Sequence, residues 1–379
     1  MPLNDVRFNT LTGGIGTLTA GEDNISALLF SIAAPVSFGS KTMKAYVSLK
    51  QIEADGILNG NATYGIVHYH AKEYFRQAPE ATLWLGFNVV NIADDFMAYA
   101  NGSIRQAGVF FTAFTQLSTV YQAAATALAA NHSYHVQFIA GYDGATLNLA
   151  ATTDMGLNNT PNVAVVISGD GGGLGKAYAT SLAKAYIPCV GAVLGLCGKA
   201  KVHESIAGVK NFNLSNNYEL EIIRLADGTN NPTNAVLDQL NTKKYLVLRK
   251  HVGIAGSYLN DSFLANDPDS DFNAIERNRV MGKAKRLLRK VTLPYLNSPL
   301  YVNPTTGRLS SGTILEFEGF CENALNLMLS AGEVSGFKVS VNPNQNVLQT
   351  STLYIQVEIV PVGVGRNIVI EIGYAVKVG

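Results

Sequence analysis

The stretch whose residue types come nearest to catalysis is Ser168-Gly169-Asp170-Gly171-Gly172-Gly173-Leu174-Gly175-Lys176-Ala177. It lies between an apolar run and a helical pattern. A phosphate-binding loop occupies that position, because successive backbone N–H groups and a helix amino terminus cradle phosphate oxygens. The spacing departs from that chemistry. A Walker motif places glycine where this chain has Asp170 and a hydroxyl where it has Ala177. The missing hydroxyl removes the magnesium ligand, and Asp170 would repel phosphate. The dinucleotide fingerprint fails as well, since no glycine triplet has the required offsets. The favoured reading is a tight glycine turn that exposes backbone at a subunit contact. A phosphate-ligand-binding α/β enzyme using Gly169–Gly175 is the alternative.

His68 and His70 alternate on an expected strand, and His132 and His135 stand at an expected helix end. Neither pair has the neighbouring carboxylate, cysteine or third histidine that a metal site needs. No serine sits in a G-x-S-x-G elbow. Asp94-Asp95 reads as a loop pair. Asp267, Asp269 and Asp271 alternate like a calcium loop but lack its glycine and closing glutamate, so they read as a helix start. The residues therefore assign no catalytic group, no metal and no cofactor.

Charge gives the clearest contrast. Between Phe272 and Val291 stand Arg277, Arg279, Lys283, Lys285, Arg286, Arg289 and Lys290 against the single acid Glu276, in a chain whose net charge is zero. A helical wheel gathers Val280, Ala284, Leu287, Leu288 and Val291 on one side. It places Arg279, Lys283, Lys285, Arg286, Arg289 and Lys290 on the other. A solvated face normally mixes signs through i,i+4 pairs, and these are missing here. The basic face therefore reads as a contact for an acidic partner. A basic-helix adaptor on nucleic acid or membrane is a further alternative, although zero net charge argues against nucleic acid as the main partner.

The elements that carry these residues alternate between strands and helices. Leu83–Val90, His135–Tyr142, Asn162–Ser168 and Tyr245–Lys250 read as strands, the third as a central strand buried on both faces. Met43–Gly56, Val109–Ala130 and Gly175–Ala185 read as helical, with a strand expected through Gly65–His70. The carboxy-terminal part reads as helix 271–292, loop, helix 311–329 and strands from Val334. This predicts an α/β fold (mixed α+β) in two domains: an α/β sheet body plus a C-terminal α/β domain with extended N- and C-terminal β-arms. The expected boundaries are an arm over 1–20, the body over 21–252 with 39–145 as a candidate peripheral domain, a domain over 253–352, and an arm over 353–379.

At 379 residues the chain is long enough for two cores. Charged residues make up only 15% against 47% apolar, which suggests that much surface is hidden by other subunits. No apolar run is long enough to span a membrane, and Leu28–Ala34 lacks the basic flank of a secretory signal. Three cysteines form no disulfide framework and suit a reducing cytoplasm. Both ends alternate with period two. Leu353, Ile355, Val357 and Ile359 share one face, and Ile368, Ile370, Ile372, Tyr374 and Val376 share another. Val6 and Phe8 belong to a weaker pattern, cut off by Gly13, Gly14 and Gly16. Such a strand closes its own sheet or completes a neighbour's. Two of them on one chain favour polymerisation.

Several of these stretches together resemble the contractile tail sheath family of myophage-like tails and extracellular contractile injection systems. The resemblance rests on Ala200–Lys210 following Val190–Gly195, and on the basic helix Arg277–Lys290. It rests also on the loop with Pro304 and Gly307, and on Val339, Val341, Pro343 and Asn344 ahead of the closing strands. It covers residues 150–379 and the shape of the amino-terminal arm; residues 39–142 carry no such motif. The resemblance implies a structural subunit, not an enzyme, that polymerises helically around an inner tube and contracts to drive it through a target membrane. Implied partners are further copies of the chain, the inner tube protein, and baseplate and tail-terminator proteins. Nucleic acid and direct membrane insertion are not implied. Assembly would take place in the bacterial cytoplasm, before incorporation into a virion tail or released particle. The 253–352 domain would face the tube through Arg279, Lys283, Lys285, Arg286, Arg289 and Lys290. The arms would join subunits through Val6, Phe8, Ile368, Ile370, Ile372, Tyr374 and Val376.

Overall fold

The structure, a computed structural model, describes residues 22–216 and 218–374. The chain divides into two compact units, Met1–Lys283 and Ala284–Gly379. The first unit is organised by strands β1 (Ser26–Phe30), β2 (Met43–Tyr46), β3 (Leu83–Phe87), β4 (Gln106–Phe111), β5 (Gln137–Tyr142) and β6 (Val163–Val166). Between them run helices α1 (Leu49–Ala54), α2 (Gly65–Gln77), α3 (Ile92–Ala100) and α4 (Ala123–His132). The strands form one sheet in the order β2-β3-β1-β4-β5-β6. All neighbours are parallel except the antiparallel edge strand β2.

Alternate residues of β1 feed opposite cores, as the pleat requires. Leu28 and Phe30 join Ile139, Val190 and Leu194 on one face, while Ala27 and Leu29 join Phe96, Leu128 and Leu237 on the other. After β6 come β7 (Ser168–Asp170), α5 (Leu174–Ser181), α6 (Val190–Lys199), β8 (Ile223–Leu225), α7 (Asn234–Thr242) and the hairpin β9 (Leu248–His251)–β10 (Ile254–Leu259). Strand β7 pairs antiparallel with β8.

Helix α6 is apolar all round, and every residue but Lys199 is buried. It packs against α2 at backbone distance because it carries Gly191 and Gly195. A Cβ at Gly195 would lie 2.8 Å from Tyr74 O, and one at Gly191 would run into the backbone of His70. Helix α8 (Ile275–Thr292) starts in the first unit and continues through the division at 283/284. The second unit adds α9 (Ser311–Ser330), β11 (Val334–Val341), the short α10 (Val347–Thr350) and β12 (Ile355–Pro361). Strands β11 and β12 form an antiparallel two-stranded sheet. Val341 N donates to Glu318 Oε1 of α9 at 2.8 Å, and Phe317, Val341 and Val347 form a small core.

Three expectations need correction. Gly65–His70 is helical, the first part of α2, which is buried on most sides; in so short a stretch of consecutively buried residues periodicity cannot separate helix from strand. Met43–Tyr46 is a strand, and helix begins only at Leu49. Val109–Phe111 ends β4, with the helical part starting as a π-turn at Leu117. Residues 39–145 supply β2, β3, β4 and β5 to the central sheet.

Candidate functional site

The glycine loop is a filled cradle. Leu174 N, at the start of α5, donates to Glu219 Oε2 at 2.9 Å, and Gly172 N donates to Asp170 Oδ1 at 3.0 Å. Asp170 and Glu219 are both buried, and Lys72 Nζ reaches Glu219 Oε1 at 3.1 Å. A Cβ at Gly173 would run into both carboxylates, so glycine is required by close approach. The donors that would hold a phosphate therefore hold the protein's own carboxyls. Burial pushes the Asp170 carboxyl up against the pull of the Gly173 and Gly172 amides, and Glu219 adds to the rise. Glu73, buried nearby, is raised by burial while its partner Arg76 pulls it back.

The histidines serve packing and capping. His68 Nε2 lies 2.9 Å from Glu53 Oε1. His70 Nδ1 accepts from Gly191 N at 3.4 Å, in the first turn of α6, and burial lowers its pKa to about 3. Asp94 and Asp95 sit in the first turn of α3, where acidic residues favour the helix. Among the described residues no grouping of three or more His, Cys, Asp or Glu could hold a metal ion. Cys189, Cys197 and Cys321 are free and buried, and burial raises the first two thiols to about 12 and about 11.

The basic helix divides its charges differently from the wheel. Arg279 is 8% exposed. Its guanidinium donates to Cys197 O at 2.8 Å, Ala200 O at 3.0 Å and Lys201 O at 3.2 Å, carbonyls at the end of α6. It is a buried C-terminal cap, not part of a solvent face. Lys283 is half-buried and pairs with Asp23 at 2.9 Å. Arg286 is partly buried, while Lys285, Arg289 and Lys290 are exposed. Sequence reasoning missed the Asp170–Glu219–Lys72 cluster and the Arg279 cap. No local pattern links residues so far apart, and only the lack of acidic partners for Arg279 hinted at another use.

At the carboxy terminus, β12 shows the expected alternation: Ile355, Val357 and Ile359 are half-buried, and Gln356 and Glu358 exposed. The expected last strand is not formed over its described part. Residues 368–374 join no sheet among the described residues, and Ile370 and Ile372 are 78% and 95% exposed, with Ile368 and Tyr374 equally open. Val6, Phe8 and Val376 lie outside the described residues. In the same unit, Leu293, Leu296, Phe317, Leu353 and Ile355 line an open groove of about 960 Å³.

Residues 3–263 match the family described as DUF2586, N-terminal domain, and residues 271–379 match DUF2586, C-terminal domain. No curated protein sequence matches the chain. Among solved structures, a chain of the anti-feeding prophage (AFP) baseplate shares 16% identity with a TM-score of 0.61, covering 99% of each chain. A chain of the sheath complex of the PVC extracellular contractile injection system, in its contracted state, shares 12% identity with a TM-score of 0.59 over 99% of this chain and 98% of that one. The sheath tail protein from Listeria innocua shares 10% identity with a TM-score of 0.56 over 91% and 96%. The fold is that of contractile sheath-type proteins, mixed α/β as expected.

Proposed function

Because the chain belongs to the DUF2586 family along nearly its whole length and has a sheath-type fold, we propose that it is the sheath subunit of a contractile particle. In this reading it polymerises helically around an inner tube and contracts to drive the tube through a target membrane. Baseplate and terminator proteins close the two ends. It assembles in the bacterial cytoplasm and leaves in a virion tail or released particle. The observation that carries the reading is the exposed alternation Ile368–Tyr374, on a unit whose two-stranded sheet leaves outer edges unpaired among the described residues. Such a segment gains main-chain hydrogen bonds and buries its apolar face by adding to a neighbour's sheet.

The tube contact falls to Lys285, Arg289 and Lys290, with Arg286 beside them, since Arg279 and Lys283 are engaged within the first unit. Exposed pairs of this kind contribute about 1 kcal/mol or less each and weaken with salt. That suits a contact which must release during contraction.

The test is negative-stain electron microscopy of the purified protein at low and high salt, beside a variant lacking residues 368–379. Striated tubes that vanish with the deletion, while the unfolding midpoint is kept, are the expected result. Monodisperse particles of the full chain under every condition would overturn the reading. The enzyme alternative loses its physical basis in the loop, whose donors are occupied by Asp170 and Glu219.

A further inference from the structure

Strands β1 and β4 are parallel neighbours from which the chain departs in opposite directions, β1 toward β3 and β4 toward β5. In open α/β sheets the crevice beyond the strand carboxyl ends at such a reversal is where ligands bind. This chain has a cavity of about 570 Å³ there, lined by Phe30, His70, Phe110, Asp143, Tyr178 and Lys184. Its volume lies within the range of small-molecule sites. The Phe30 and Phe110 rings stack at 5.2 Å, and the His70 ring lies 4.8 Å from Phe110.

His70 is the informative group. It is 1% exposed, and its Nδ1 accepts from Gly191 N, so the neutral ring carries its proton on Nε2. Nε2 has no hydrogen-bond partner among the described residues, and it is not one of the fully enclosed orphan atoms, so it faces the cavity that His70 lines. A buried donor left open costs free energy unless something accepts from it. The rest of the rim has no charge to spend. Lys184, the only ammonium or guanidinium among the lining residues, is closed on Asp143. Tyr178 Oη accepts from Gly60 N and donates to Asn59 Oδ1.

We infer that this cavity is a binding site for an uncharged planar aromatic molecule that packs against the apolar wall made by Phe30 and Phe110 and accepts a hydrogen bond from His70 Nε2. The site stands apart from the surfaces assigned to assembly and does not depend on the sheath reading. A phosphate-bearing ligand is disfavoured because its charge would meet no free cation.

Saturation-transfer NMR at neutral pH with isoquinoline, which offers a ring-nitrogen acceptor, and naphthalene, which offers none, tests the assignment. Isoquinoline should bind saturably. Naphthalene should bind about tenfold more weakly, as should isoquinoline to His70→Phe, the value of one neutral hydrogen bond. Ser181→Trp, at an exposed lining position, should keep the thermal midpoint and abolish binding. Absence of saturable isoquinoline binding, or binding that persists in a folded Ser181→Trp protein, would overturn the site. Equal affinity for the two probes would overturn the role of His70.

Discussion

Arg279 Nη2 lies 2.8 Å from the carbonyl oxygen of Cys197, so a cation from α8 closes the carboxy-terminal end of α6, a helix buried on every side. The last carbonyls of a helix have no partner within it and carry its negative pole. In a dry core they need a donor, and Arg279 supplies three bonds from one planar fork.

Arg279→Ala should therefore destabilise the first unit by about 3 kcal/mol, the scale of removing one partner from a buried charged contact. Arg279→Lys should recover only part of that loss, because an ammonium cannot span three carbonyls in one plane. Chemical denaturation of the two variants beside the parent checks both expectations. Equal stability of all three would remove the capping role.

The Asp170 and Glu73 carboxyls both bind protons more tightly in the folded chain than in the unfolded one. The stability they add is thus present at acid pH. It is lost as pH rises from the ordinary carboxylate range, about 4, through their raised values. Asp170→Asn keeps the acceptor for Gly172 and gives Glu219 a donor. It should raise the neutral-pH stability by about 1 kcal/mol, roughly one unmatched buried polar group, and flatten the loss with rising pH. Melting curves between pH 4 and 8 measure both effects.

His70 works with the opposite sign. Its pKa is depressed from the ordinary 6.5 to about 3 by burial and, to a lesser extent, by Lys184. Its contribution is complete above pH 6.5 and falls away as pH drops toward 3. At pH 5 the unfolded chain takes up a proton that the folded one refuses, a cost of about 2 kcal/mol relative to pH 8. His70→Phe should remove His70's share of that acid sensitivity and make the acid limb shallower. An unchanged acid limb in a folded His70→Phe protein would contradict this.

Replacing Lys285, Arg289 and Lys290 together by glutamate should leave the unfolding midpoint nearly unchanged, since exposed substitutions usually cost within about 0.5 kcal/mol each. On the proposed sheath reading, such subunits should still self-assemble but fail to dock on an inner tube at any salt. Co-sedimentation with isolated tubes separates those two properties. Docking equal to the parent would clear these side chains of the contact.

The parts of this chain that were legible beforehand are those fixed by local pattern. Leu83–Phe87, Gln137–Tyr142 and Val163–Val166 are strands because apolar residues follow one another in short runs bounded by turns. The alternation of Ile355 with Gln356 likewise marks β12. Long-range partnership was not legible. The wheel placed Arg279 outward because it counts only its own helix, whereas its position is decided by carbonyls contributed by α6. Gly65–His70 was misread because burial by several neighbours erases the polar stripe that identifies a helix. The glycine loop looked open because Glu219, which fills it, is brought there by a separate segment of the chain.

Helix α6 is held at one end by His70 and at the other by Arg279, with Gly191 and Gly195 pressed against α2 between them. Of its residues only Lys199, at the carboxy-terminal end, is exposed, so its amides should be among the last to exchange with deuterated water, at the rate of global unfolding. If the chain works as the proposed sheath subunit, a change of lattice would spend its motion at the subunit's edges and carry this segment through unaltered.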